Sequence, residues 1–290
     1  MQKYPELLTP KEFYKVANYY VKGLLKPKLV VVMPKYDGSN ILKFGDALYT
    51  RNLGPLPKQW LDAIKSKFPE ILKSGHNFYF EFGGYKNCPA GYCGAWEGEW
   101  DYRVFDIYEL KPPTEWADKL KAEGLKVVEW REYGTDLVKA VQEAINWLGE
   151  WGRKVEGMVV KIYGFDVEGN AARDPDIRKH LNRNFIGLKI KWENRQQWGG
   201  LLEILTGKAE VTVEEKVTVL PYDEVLTAVH RKIVELLQQG KKLEEISVND
   251  LIPAVEEEAK KHNMAIPSRE IIRQAMREIK KKIRTGELQV

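Results

Sequence analysis

With 290 residues, 43% of them hydrophobic, the chain can bury a full core and is long enough for one large and one small domain. Its 46 Lys and Arg stand against 42 Asp and Glu, a formal charge of only +4, so a polyanionic partner is neither demanded nor excluded and has to be argued from local patches. No run approaches the roughly 20 apolar residues of a membrane span, and Met1-Gln2-Lys3-Tyr4-Pro5-Glu6 holds no apolar signal core, so the expectation is a cytoplasmic protein with no membrane partner.

Residues 9–23 are predicted to form a helix, with Thr9 as N-cap, Pro10 in the first position and Phe13, Val16, Tyr19 and Tyr20 on one face. The apolar run 29–33 reads as a buried strand that delivers Lys35 and Asp37, in Lys35-Tyr36-Asp37-Gly38-Ser39-Asn40, to the turn at its end. A lysine there is either a surface cation before an Asp-Gly turn or a nucleophile. The second role needs burial or cationic neighbours to favour the free amine, because a lysine of ordinary pKa, about 10.4, is protonated at neutral pH. Lys189 and Lys191 are the candidate neighbours. Residues 41–44 and 47–50 flank Gly45-Asp46 as a tight hairpin that leaves Arg51 at a strand end. Residues 57–72 then read as one helix with Trp60, Ile64 and Phe68 on one side.

Residues 77–84 alternate as a strand, with Phe78, Phe80 and Phe82 on one face and Tyr79, Glu81 and Gly83 on the other. Residues 101–108 repeat the pattern, which sets Arg103, Phe105 and Ile107 opposite Tyr102, Val104, Asp106 and Tyr108. Between these strands lie the only two cysteines, Cys88 and Cys93. Two thiolates without nearby histidines cannot complete a four-ligand zinc site. Of the remaining states, a local disulfide or free thiols, free thiols are the expected one.

A helix over 135–147 is followed by a strand over 155–162, with Glu156 on the face of Met158 and Val160. Residues 163–183 are polar, rich in Asp and Arg, and read as an exposed excursion. Residues 186–192 alternate again, so Lys189 and Lys191 share one face and form either a solvated edge or an anion site. From Asp223 the spacing turns helical: one segment through Val225, Val229, Ile233, Leu236 and Leu237, a second over 249–259, and a third over 268–283 with Ser268 as N-cap. The third carries Arg269, Arg273, Arg277, Lys280, Lys281, Lys282 and Arg284 against Glu270 and Glu278. That stripe is either a solvated face or a nucleic-acid contact, with Arg273, Arg277, Lys280 and Lys281 as the contacting residues.

A strand-end lysine, an arginine after the next hairpin, two strand acids and a Lys-x-Lys strand together suit nucleotide transfer. The ammonium pair would neutralise charge on a phosphorus under attack by Lys35, Glu156 would hold a hard divalent cation, and Phe105 would stack on a base.

The order of these motifs resembles the covalent nucleotidyltransferase superfamily of polynucleotide ligases and RNA capping enzymes, over the first two-thirds of the chain. Lys35-Tyr36-Asp37-Gly38 resembles motif I, Thr50-Arg51-Asn52 motif Ia, and Phe80-Glu81-Phe82-Gly83 motif III. Val104-Phe105-Asp106-Ile107 resembles motif IIIa, Glu156-Gly157-Met158-Val159-Val160-Lys161 motif IV, and Lys189-Ile190-Lys191 motif V. The resemblance implies an α+β fold, with an antiparallel-sheet, ATP-grasp-like nucleotidyltransferase domain over 1–206 and a small all-helical domain over 207–290. It implies Lys35, Lys189 and Lys191 as catalytic residues, with nucleotide contacts from these and from Asp37, Gly38, Asn40, Arg51, Glu81 and Phe105. Glu156 and Glu81 would hold Mg²⁺ or Mn²⁺.

DNA ligases of the superfamily usually end motif I in Arg and carry a C-terminal OB-fold, whereas this chain has Asn40 and a helical C-terminal pattern, similar to RNA ligases of the nick-sealing phage type. The implied activity is that of an ATP-dependent RNA ligase. Lys35 takes AMP from ATP, AMP passes to an RNA 5′-phosphate, and a 3′-hydroxyl displaces it. An ATP-dependent DNA ligase and a GTP-using capping guanylyltransferase are the alternatives within the superfamily; outside it stand a non-catalytic RNA-binding protein and a different enzyme class such as a kinase, which would want a glycine-rich GxxxxGK(S/T) phosphate loop that the sequence lacks. Many ligases have a Glu one or two positions before the lysine that helps recognise adenine; here those positions are Met33 and Pro34.

Overall fold

The computed structural model describes residues 1–209, 220–261 and 266–288, and the chain divides into two units, Met1–Thr212 and Val213–Val290. The first opens with α1 (Pro10–Val21). Its Thr9 cap accepts from the Glu12 N–H at 3.3 Å, and the Glu12 carboxylate accepts from the Thr9 N–H at 2.7 Å, a reciprocal box that satisfies two otherwise orphaned donors. β1 (Leu25–Lys35), β2 (Gly38–Phe44) and β3 (Ala47–Thr50) follow, the last two joined by the predicted turn at Gly45-Asp46, where Gly45 takes a φ of +58°.

The single helix predicted over 57–72 is two, α2 (Lys58–Lys67) and α3 (Pro69–Lys73). Pro69 has no N–H to donate and crowds Phe68 out of helical geometry, to φ −133° and ψ 53°. Then come β4 (Phe78–Gly83), β5 (Asp101–Ile107), α4 (Ala117–Ala122), β6 (Arg131–Glu132), α5 (Leu137–Trp151), β7 (Gly157–Val167), α6 (Pro175–Leu181), β8 (Phe185–Lys191) and α7 (Trp198–Leu205). The polar excursion is thus the end of β7 and a short helix capped by Asp174.

These strands form two antiparallel four-stranded sheets, in the orders β6-β1-β7-β8 and β3-β2-β4-β5. β1 and β2 are consecutive but belong to different sheets, so the chain crosses from one to the other between Lys35 and Gly38. One face of the first sheet buries Val30, Val32, Met158, Val160, Leu188 and Ile190 against Phe13, Leu137, Val141 and Leu201 of its helices. The second sheet buries Phe78, Phe80 and Phe82 against Ile64, Ile71 and Leu120, as their alternation predicts. The remaining faces meet in a third cluster that includes Val31, Met33, Leu42, Tyr79, Val159 and Phe185. Each large side chain buried in these layers contributes about 1.5–3 kcal/mol.

Local breaks in alternation correct two further expectations. Tyr79 pairs with Asp106 but Phe80 pairs with Val104, so Phe105 is an extra residue, a β-bulge. Strict alternation sends Phe105 and Asp106 to opposite faces, whereas the bulge lets both touch Tyr4. Glu156, for its part, does not lie with Met158 and Val160. β7 begins only at Gly157, and Glu156 opens into the same cavity as Val159 and Lys161. A Cβ on Gly157 would run into the Ile190 carbonyl, so glycine is what allows β7 and β8 to pair there.

The cysteines are also corrected: Cys88 and Cys93 form a disulfide, with Cα atoms 5.6 Å apart. A turn closed by the Gly91 N–H on the Cys88 carbonyl at 3.0 Å, with Gly91 at φ +86°, brings the two together.

The second unit contains α8 (Tyr222–Gln238), α9 (Val248–Lys261) and α10 (Arg269–Arg284), the last capped by Ser268. Val225, Val229, Ile233, Leu251, Val255, Ile272 and Ile279 form its core. Among the described residues no helix is long and apolar enough to cross a membrane.

Replacing Gly157 with Ala should force β7 and β8 apart and lower stability by about 1–3 kcal/mol. Urea denaturation of the variant beside the wild type checks this, and an unchanged midpoint would mean that the strands do not approach so closely.

Candidate active site

Adjacent strands deliver three charged side chains to one place. Lys35, at the end of β1, is in register with Gly157, which on its other side is in register with Lys191. The Glu156 N–H donates to the Lys35 carbonyl at 3.0 Å. The Glu156 carboxylate consequently stands between two ammonium groups, with Oε2 accepting from Lys35 Nζ and Oε1 paired with Lys191 Nζ. Lys191 also reaches Glu193 at 3.0 Å. Burial by itself would push the Glu156 carboxyl up, but the Lys35 charge and hydrogen bonds from Lys191 and Lys35 hold it below the usual carboxylate range. The nearest charge to Lys35 is therefore an anion, and not the ammonium of Lys189 or Lys191 invoked from the sequence. Lys189, in register with Val159, lines the same cavity.

The second sheet supplies the facing wall. Asn40, Glu81 and Arg103 are register neighbours across β2, β4 and β5, and Asn40 and Glu81 line the cavity. Glu81 is half-buried and makes no ion pair among the described residues. Burial pushes its carboxyl up to about 7, with Lys35 opposing and Glu156 and Asp37 adding to the rise. Such a group gains from a cation that stabilises its ionised form. Glu156 is already occupied by two lysines, so Glu81 is the freer of the two predicted metal ligands. No group of three or more His, Cys, Asp or Glu able to hold a metal occurs among the described residues. A divalent cation at Glu81 would thus complete its shell with phosphate and water oxygens, the usual way Mg²⁺ is held.

Asp37, only 2% exposed, lines the cavity and also holds one of its walls. Its carboxylate accepts from the Ala90 N–H, at 3.1 and 2.9 Å, and from the Tyr92 N–H at 2.9 Å, while its carbonyl accepts from Trp96 Nε1 at 2.7 Å. It anchors the disulfide loop, whose Pro89 and Ala90 form one side of the cavity. Gly38 lets β2 reach β4, since a Cβ there would lie 2.6 Å from the Phe82 carbonyl. Arg51, exposed just beyond β3, lines the cavity with Asn52.

The cavity, about 620 Å³, also takes in Phe105, Tyr4 and Lys161. Lys161 is 1% exposed and donates to the Phe105 carbonyl at 2.7 Å and to Asp106 Oδ2 at 2.9 Å. Burial pushes the Lys161 amine down and the Asp106 carboxyl up, each held back by the other's charge. Lys161 stands four positions beyond Gly157 along β7, roughly 13 Å at about 3.3 Å per residue. The cavity therefore has a charged end and an aromatic end at a spacing that suits a nucleotide. Sequence reasoning passed over Lys161, although its parity with Val159, in a strand otherwise apolar, was the available signal. It also passed over Tyr4 and Trp60, both lining residues with no motif to mark them.

On α10 the four predicted contacts differ in freedom. Arg273 pairs with Glu270, and Lys280 donates to the Ile246 carbonyl at 2.8 Å. Arg277 and Lys281 are exposed and make no ion pair among the described residues. Spaced four apart, they share a face with Arg273.

No protein-family model and no curated protein matches the sequence. Among solved structures the chain is similar to an archaeal ATP-dependent RNA ligase, at 16% identity and TM-score 0.45, over 99% of this chain and 67% of that one. It is similar to a putative ATP-dependent DNA ligase from Aquifex aeolicus, at 15% and 0.47, over 71% and 60%. A variant of the Naegleria gruberi RNA ligase with ATP and Mn follows, at 18% and 0.42, over 63% and 58%. The chain spans about two thirds of the first of these and less of the other two.

The raised carboxyl of Glu81 has a measurable consequence. With a folded value of about 7 and an unfolded one near 4.3, the folded state binds the extra proton between those values, so stability falls as pH rises through that window and levels off above it. Glu81→Gln should remove this fall, which makes the variant the more stable protein at pH 8. Mg²⁺ or Mn²⁺ at that pH should raise the melting temperature of the wild type and not of the variant. Parallel pH profiles in both proteins would mean that Glu81 is ionised as in solution.

Proposed function

We propose that the chain is an ATP-dependent RNA ligase working through a lysyl-AMP intermediate. The observation that carries this reading is the Lys35–Glu156–Lys191 cluster at three adjacent strand positions, opening into a cavity whose other end presents Phe105. A solvated lysine before a turn would not be tied to a buried carboxylate shared with a second lysine.

In this reading the base stacks on Phe105 and the phosphates lie toward Lys189 and Lys191, with Arg51 as a further contact. Lys35 must lose a proton before it can attack, and Glu156 Oε2, already hydrogen-bonded to it, is the acceptor in place. The new P–N bond to the α-phosphorus forms as the P–O bond to pyrophosphate breaks. Lys189 and Lys191 then offset the negative charge that builds on the transferring phosphate. Glu81 would hold a divalent cation, which would supply further charge neutralisation on the triphosphate. Transfer of AMP to an RNA 5′-phosphate, and displacement of AMP by a 3′-hydroxyl, complete the joining. Residues 1–206 would perform the nucleotide chemistry, and residues 207–290 would present RNA through Arg277 and Lys281 of α10. The helical character of the second unit's described residues favours RNA over DNA and over capping, for which an OB-fold is expected.

Incubation with α-labelled nucleotide should give a protein adduct with ATP and not with GTP. Lys35→Ala should abolish it while the chain stays folded, because Lys191 still pairs with Glu156. Lys35→Arg should fail equally, since a guanidinium stays protonated. Lys191→Ala should slow adduct formation by about 10²-fold. Labelled adduct on Lys35→Ala would sink the assignment.

Joining of nicked RNA tests the second unit. The double change Arg277→Ala, Lys281→Ala should weaken RNA binding and reduce the slope of log K against log salt by about 1–2, leaving adduct formation intact. An unchanged slope would remove α10 from the RNA contact.

A further inference from the structure

The segment ahead of α1 forms part of the cavity wall. It is fastened to β8 by a parallel bridge, in which the Leu8 N–H donates to the Gly187 carbonyl and the Lys189 N–H to the Leu8 carbonyl, both at 2.8 Å. Upstream of that bridge Tyr4, 8% exposed, meets the Phe105 ring edge to face, with centroids 5.0 Å apart and planes at 89°. Tyr79 at 5.0 Å and Phe185 at 6.0 Å hold the same ring from other sides. The Tyr4 hydroxyl donates to Asp106 Oδ2 at 3.0 Å, on the residue that follows Phe105.

Phe105 needs such support because it is the unpaired residue of a bulge, without a cross-strand partner to fix its direction. Its carbonyl is held by Lys161 at 2.7 Å, and its half-buried ring, which lines the cavity, meets Tyr4 edge to face. We propose that Tyr4 is a positioning residue for recognition of the nucleotide base: it braces the bulge so that the Phe105 ring stands as a stacking platform. The segment through Leu8 closes that end of the cavity. Through the Leu8 bridge, the base platform is tied to the same strand that carries Lys189, so base and phosphates are presented in one fixed frame. This inference rests on the nucleotide-transfer reading, in which the aromatic end of the cavity takes the base.

The test uses the full chain with Tyr4→Leu, which keeps apolar bulk but removes the ring edge and hydroxyl, and Tyr4→Phe, which restores the ring. Calorimetry would give Kd for ATP and for inorganic tripolyphosphate, which has no base, with adduct formation followed in parallel. Tyr4→Leu should weaken ATP binding by about tenfold and leave tripolyphosphate unchanged, and Tyr4→Phe should recover ATP binding to within about threefold of wild type. Adduct formation should show the loss in KM for ATP with kcat kept. An ATP Kd unchanged in Tyr4→Leu would overturn the role, as would equal weakening of both ligands, which is what general loosening of the fold produces. A wild type that binds ATP without forming an adduct would overturn the transfer reading alone, with the two binding constants still deciding the role of Tyr4.

Discussion

A carboxylate shared by two ammonium groups is the constraint on which the first unit turns. Glu156 is mostly buried, and a buried charge is tolerated only when it is paired and hydrogen-bonded. Both pairing lysines must therefore arrive together, one from the end of β1 and one from the end of β8, with the start of β7 between them. That requirement fixes the register of three strands at one edge of a sheet. A slip of one residue would turn either lysine to the opposite face and leave the carboxylate unpaired. The same arrangement keeps a nucleophile's proton next to an acceptor, and its strength sets how much a phosphate must offer to draw the lysines away.

The two sheets stand in a definite relation because the chain passes between them within three residues of Lys35. The crossing is shaped by Asp37, which lines the cavity and whose carboxylate accepts backbone hydrogens from the loop after β4. A motif that reads as one functional unit thus splits its work between the attacking amine and the seating of a wall. Glu81 faces this assembly from the other sheet and has no ion-pair partner among the described residues, so burial raises it against the opposing charge of Lys35.

Much of this was legible in the residues. Alternation placed Phe78, Phe80 and Phe82 in a core, set Lys189 and Lys191 on one face, and a Gly-Asp pair marked the hairpin, because each depends on short-range periodicity or on backbone torsion alone. What escaped notice depends on contacts made elsewhere in the fold. The bulge at Phe105 is bought by Lys161 and Tyr4, from distant parts of the chain, and no local pattern announces it. Glu156 lies off the expected face because β7 starts at Gly157, two residues later than the strand expected over 155–162, so the alternation does not extend back to it. Pro69 was a visible signal that the reading of a long helix overrode. The disulfide was open from the spacing, but only the turn at Gly91 shows that the two sulfurs meet.

The loop between Cys88 and Cys93 is secured twice, and the two fastenings act on different states of the chain. The covalent link closes a short ring and works mainly by narrowing the unfolded ensemble, about 2 kcal/mol for a ring of this size. The hydrogen bonds to Asp37 exist only in the folded protein and satisfy a carboxylate that has little access to water. Cutting the covalent link therefore makes folding less favourable without opening the cavity wall. Neutralising the carboxylate would release the wall in a protein that is still folded and still cross-linked.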